Sequence, residues 1–159
     1  MNLKYFILSI FLSCFISCDN SNVYKEFKSI NNDFDFDFVA WKNTDTLTFK
    51  VILDNEHKNL EPVVSIRHAM HYPFSNIKLN LKCEMPDGKS KNTALDLVLA
   101  EDNIFKGSGM GDLWDIDIPV ALPFKFDQKG TYKICINQDM MDKLPGVLEV
   151  GFLLNKPEK

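Results

Sequence analysis

His68 and His71 make a His-x-x-His pair, the one grouping in this chain with the look of a metal ligand set. Two imidazoles hold zinc when their nitrogens converge, and on a strand residues three apart face opposite ways. Convergence would need the bend at Tyr72-Pro73 to begin early. His57 lies in a remote turn and no acidic residue is spaced as a third ligand, so we expect structural or partner-facing histidines and no metal. Asp33, Asp35 and Asp37 alternate with Phe34, Phe36 and Phe38. A calcium loop also needs a glycine turn and a final bidentate acid, so this run reads as an edge strand with a solvated acidic face. Gly107-Ser108-Gly109-Met110-Gly111 lacks the Gly-Lys-Ser/Thr ending of a phosphate cradle, and no helical pattern follows it. It reads as a flexible loop beside Trp114. Asp115 and Asp117 share the polar face of a strand, which usually means solvated surface. No nucleophile elbow or paired-carboxylate signature stands out. No catalytic residue and no cofactor is expected.

The remaining reactive position is Cys18. Lys4 supplies one positive charge, and Tyr5 to Ile16 is an apolar run too short to span a bilayer. The run ends Phe15-Ile16-Ser17-Cys18 and turns polar at Asp19-Asn20-Ser21-Asn22. A small residue and then Cys at that edge resembles a bacterial lipobox. Cys14 also follows a Ser, but inside the apolar run. On that reading, cleavage before Cys18 leaves a lipidated thioether N-terminus, and two or more acyl chains anchor stably where one does not. The expected organisation is a signal peptide over 1–17, a lipidated N-terminus and tether over 18–40, and one folded domain over 41–156.

Loss of the signal peptide leaves 17 basic against 22 acidic residues and no Lys/Arg run, which argues against nucleic acid as a partner. Cys83 and Cys135 remain, in a compartment where pairing is permitted. Their strand parity opposes it: Cys83 follows the apolar positions Ile77, Leu79 and Leu81, whereas Cys135 lies opposite Tyr132, Ile134 and Ile136. A disulfide requires close, facing Cβ atoms, so two thiols are expected.

The elements that must carry these residues are strands. Leu47, Phe49, Val51 and Leu53 point one way with Thr48 and Lys50 the other, Val64, Ile66, His68 and Met70 share a face opposite Arg67, and Ile77, Leu79, Leu81 and Cys83 alternate with polar residues. Tyr72-Pro73 breaks one strand from the next, and Met85-Pro86-Asp87-Gly88 is a turn with Pro setting φ and Gly permitting a positive one. Leu95, Leu97 and Leu99 mark another strand, as do Ile116, Ile118, Val120 and Leu122, where Pro119 suggests an edge. Tyr132, Ile134 and Ile136 form the next, a single helical turn is expected within Gln138–Leu144, and Leu148, Val150, Phe152 and Leu154 close the domain. Seven or eight short strands without a long 3.6-residue period predict an all-β, single antiparallel β-sandwich, jelly-roll-like.

The order of short motifs resembles the gliding motility lipoprotein GldH family of Bacteroidota. The lipobox with Asp19, Val23-Tyr24 and Trp41 fit its N-terminal part. Ile66-Arg67-His68 through Tyr72-Pro73-Phe74-Ser75-Asn76-Ile77 is similar to the family's Arg-Asn…Tyr-Pro-Tyr-Ser-Asn-Leu segment. Gly107 to Asp112, Phe126 to Gly130, Tyr132, Gln138 to Met141 and Leu144 to Gly151 fit the rest. This chain departs from the family at His68, where Asn is common, and near Met141, where Arg is common. The resemblance implies a non-enzymatic envelope lipoprotein of the gliding machinery, linked to type IX secretion. Its partners would be the membrane, through the lipid, and other gliding or secretion envelope proteins, with the outer membrane as the expected location. Arg67, Tyr72 and Asn76 are the expected interaction surface, from exposure parity and side-chain type. Two other functions compete. One is a glycan- or peptide-binding lipoprotein using Trp41, Trp114 and Tyr72 as an aromatic platform; the other is an envelope hydrolase, which would need a Ser or Asp in a cleft.

Overall fold

The alternating segments from Leu47 onward each contain a strand, and shorter strands join them. The computed structural model of the chain describes residues 22–30 and 39–157. In chain order the strands are β1 (Asn22–Ser29), β2 (Ala40–Lys42), β3 (Leu47–Leu53), β4 (Glu61–Ala69), β5 (Asn76–Glu84), β6 (Ser90–Val98) and β7 (Ala100–Glu101). Then come β8 (Ile104–Phe105), β9 (Ser108–Met110), β10 (Leu113–Pro119), β11 (Gly130–Gln138), β12 (Lys143–Pro145) and β13 (Val147–Asn155). One sheet has the order β1-β13-β4-β10-β9 and faces a second of order β3-β11-β5-β6. The pairs β12-β2 and β7-β8 are small additions. All pairings are antiparallel. The chain passes between the sheets at β3–β4, β4–β5, β6–β9, β10–β11 and β11–β13, which makes a sandwich of crossing connections.

The alternating residues do what their spacing demands. Ile77, Leu79, Leu81 and Cys83 are buried from β5, and Phe49, Val51, Leu53, Tyr132, Ile134 and Ile136 from its sheet neighbours. Val64, Ile66, Val150, Phe152 and Leu154 oppose them from the other sheet. Burying one such large side chain contributes about 1.5–3 kcal/mol, so the two inward faces hold the domain together.

Five expectations change. The tether expected up to residue 40 holds β1, whose residues pair with β13 from Asn22↔Asn155 to Ser29↔Glu149. β1 is therefore part of the folded domain, and the Asp33–Phe38 run lies outside the described residues, as does Cys18. The expected flexible glycine loop is a hairpin arm, β9, paired with Leu113–Asp115 of β10. The helical turn expected within Gln138–Leu144 is an open loop followed by β12. Near the start of β13 the register shifts between Val147 and Glu149, so Val147 enters the core in place of Leu148. Met70, expected on the buried face of its strand, lies past the end of β4 and is 59% exposed.

The register defines two ends. Asn22, Asn155 and Glu61 lie side by side at one, with the β3–β4 loop and the start of β11 at Gly130, which pairs with Leu53. His68, Val147 and Trp114 lie side by side at the other, where the β7–β8 and β9–β10 hairpins are.

Candidate functional site

The histidines separate. His71 is exposed in the turn after β4, whereas His68 has no exposed surface. The His68 ring sits in an aromatic box, with centroids 4.6 Å from Phe105 edge to face and 5.4 Å from Tyr72. Phe105 in turn lies 5.8 Å from Trp114, and Tyr72 lies 5.7 Å from Phe74. Strand geometry builds the box: His68 on β4 pairs with Trp114 on β10, so both rings point inward, and β8 brings Phe105 between them. His68 Nδ1 lies 3.0 Å from the Ala69 carbonyl oxygen, so Nδ1–H donates and Nε2 is left as the acceptor. Nε2 is buried and has no hydrogen-bond partner among the described residues. Burial lowers the His68 pKa, against smaller opposing effects of the Ala69 carbonyl and the Asp115 charge. The neutral ring is the native form.

The glycines above this box are there for contact. A Cβ at Gly107, whose φ is +89°, would stand 2.1 Å from the Asp115 carbonyl oxygen. At Gly109 it would stand 2.8 Å from the Trp114 ring. Only glycine lets β9 lie flat on that indole.

Arg67, Tyr72 and Asn76 do not form one surface. Arg67 lies on the outer face of its sheet, where Nε donates to Asp115 Oδ1 at 2.8 Å and Nη2 to Oδ2 at 3.2 Å. Glu149, from β13 on the other side, is 3.6 Å from Nη1. Tyr72 is buried, and its hydroxyl donates to the Asn76 carbonyl oxygen at 2.9 Å. The Asn76 side chain belongs to the second sheet, where its amide donates to Asp96. Trp41 is fully buried too, so Trp41, Trp114 and Tyr72 are not a surface platform. Asp115 and Asp117 both face outward, the first as the partner of Arg67.

Cys83 and Cys135 are both thiols. Burial first, then the neighbouring Cys135 and Glu84, push the Cys83 thiol up to about 12, which keeps it protonated and unreactive. Among the described residues no three His, Cys, Asp or Glu side chains converge as a metal set.

Gln138 is a residue whose importance the sequence hid. Its Oε1 accepts the Met140 and Met141 amides at 2.7 and 3.2 Å. Its Nε2 donates to the Trp41 carbonyl at 3.1 Å and to that of Met141. One buried amide thus winds the 139–142 loop and ties it to β2. The available signal was a lone glutamine ending an alternating strand.

Between the open edges of β6 and β10 runs a groove of about 510 Å³, lined by Leu95, Leu97, Ile116, Ile118, Asp117 and Lys106 among others. The opposite seam is closed. There Glu26 of β1, its carboxylate held low by Lys28 first and then by the Tyr24 hydroxyl, also accepts the Lys50 amide of β3.

These features define a β-sandwich whose polar clusters tie strands together or cap loops. Residues 22–154 match the model of the GldH lipoprotein family, and the chain belongs to that family. It is 28% identical, over 96% of its length and 94% of the relative's, to a gliding motility lipoprotein GldH homolog of Christiangramia forsetii. It is 29% identical to the gliding motility lipoprotein GldH of Flavobacterium johnsoniae, over 89% of each chain. A family 35 carbohydrate binding module from Clostridium thermocellum is similar over 80% of this chain and 86% of its own, at a TM-score of 0.40 and 13% identity. At that distance the likeness carries nothing about ligands. The chain is thus a lipoprotein of a gliding motility family, associated with the cell envelope, and that family is not a known family of enzymes.

Proposed function

We propose that this protein is a non-catalytic component or assembly factor of the gliding motility machinery coupled to type IX secretion. It is held by lipid on Cys18, at the outer membrane, and works through contacts with other envelope proteins. The observation that carries the reading is the family match over 22–154, which runs from the start of β1 to the last but one residue of β13. The placement of the polar groups supports it. Arg67, Gln138 and His68 each serve a strand or loop of the scaffold. No group of the kind that makes a nucleophile, a base and an orienting residue is brought together among them.

The test is deletion of the gene in its own host, complemented by the native sequence or by Cys18→Ala. We expect the deletion to abolish colony spreading and secretion of type IX cargo, the native gene to restore both, and Cys18→Ala to leave the protein out of the membrane fraction. Normal spreading and secretion in the deletion strain of a gliding host would overturn the reading.

A further inference from the structure

The end of the sandwich around His68 carries an exposed apolar cluster on its outer face. Met110 of β9 and Leu113 of β10 are register partners, and Leu113 pairs with Ala69 of β4. The Met70 amide donates to the Asp112 carbonyl at 2.7 Å, which places the Met70 backbone next to this pair. Met110 is 86% exposed, Met70 59% and Leu113 41%. Scattered apolar residues on a surface need no explanation, but cross-strand neighbours form one patch, and patches of this kind mark contact sites. Methionine suits such a site because its unbranched thioether adapts to a partner's shape.

Two observations decide what covers the patch. The first is direction. Three residues separate Cys18 from Asn22, and even fully extended that linkage reaches no more than about 14 Å. Asn22 starts β1 beside Asn155 and Glu61, so a lipid on Cys18 fixes that end at the bilayer. β4 then runs nine residues from Glu61 to Ala69, about 26 Å at the rise of a strand. The Met110–Leu113 patch lies at the far end and points away from the anchoring membrane.

The second is charge. The two hairpin turns at this end carry Asp102 and Asp112, while Glu101 is paired with Lys106 and Asp115 with Arg67. An anionic bilayer surface would be repelled by that border, and a basic protein surface attracted. We propose that this patch docks a different envelope protein, through an apolar projection bordered by Lys or Arg side chains. The proposal rests on Cys18 as the lipid-bearing residue.

Photocrosslinking in native membranes tests it without relying on motility. A photoreactive amino acid replaces Met110 in the full lipidated chain or, as a control, Lys58 in the β3–β4 loop. We expect a discrete adduct with a second protein from position 110, and none from position 58. It should fall about tenfold with Leu113→Asp, the loss of one binding hot spot, and fall also with Asp102→Lys plus Asp112→Lys. Both changes lie on exposed hairpin positions, and unaltered thermal unfolding would show that the domain still folds. No adduct from position 110, an adduct from position 58 instead, an adduct with the mass of two copies, or one indifferent to both changes would each overturn the proposal. Should the deletion strain spread and secrete normally while the adduct forms as described, the gliding role falls and the docking surface stands.

Discussion

At the Asn22 end the interior of the sandwich is hydrocarbon and ring. Phe152 packs its ring 6.1 Å from Phe49, 5.9 Å from Phe126 and 6.4 Å from Tyr24. Phe126 also reaches Tyr132 at 4.9 Å. At the His68 end the interior holds an imidazole with an unpartnered nitrogen and a glutamine amide wired to four backbone groups. The outer surfaces differ in degree: Met70, Met110 and Leu113 are exposed at the second end, against Ile52 near the first. One end is built for cohesion. The other gives up some cohesion to hold irregular hairpins in place, and those hairpins bear the apolar patch.

The two ends should respond differently to substitution. Phe152→Ala removes a fully buried ring and should lower the unfolding free energy by about 3–5 kcal/mol, read by urea denaturation of the purified lipoprotein. A loss near 1 kcal/mol would mean that the interior there is less tightly packed than its rings imply. Gln138→Ala should cost about 1–3 kcal/mol, because the Trp41 and Met141 carbonyls and two loop amides lose their partner together. The loop over 139–142 should also become the first site of limited proteolysis. An unchanged cleavage pattern would show that β12 holds the loop without it.

A pH series separates the ends further. Burial keeps His68 neutral in the folded chain, with its pKa below the ordinary value. Once the pH falls below about 6.5, the unfolded chain takes up a proton that the native chain refuses. Stability must therefore decline from that pH downward, by up to about 1.4 kcal/mol per pH unit for this one site, until the folded-state pKa is passed. His68→Phe should flatten that part of the profile, whereas Phe152→Ala should shift the whole profile without changing its slope. The smallest effect is expected from Arg67→Ala. The Arg67 and Asp115 side chains are 42% and 47% exposed, so their pairing should contribute about 0.2–1 kcal/mol and fade with added salt.

The cohesive end was legible in the sequence because two-residue alternation states which side chain faces inward. Phe49, Tyr132, Ile134 and Cys83 all lie where their spacing puts them. The other end was legible only in part. Arg67 was visible as an outward residue, but its partner Asp115 lies 48 positions away, and register across a sheet is not written in either strand alone. Gln138 looked like the end of a strand, since nothing local announces that an amide will bond a carbonyl 97 residues away. The glycines of 107–111 suggested a mobile loop, while their use is close approach to Trp114 and Asp115. Tyr72 and Asn76 marked the family segment well and a surface poorly, because a turn motif can be distinctive for the core contact it makes.

Fluorescence quenching measures the polarity of the domain on its anchor directly. The full lipidated protein is placed in vesicles whose headgroups carry a quencher, with a small dye on position 58 or on position 110. Anchoring through Cys18 should give strong quenching at 58 and almost none at 110, a strand length of about 26 Å further out. Equal quenching at both positions, or stronger quenching at 110, would contradict it.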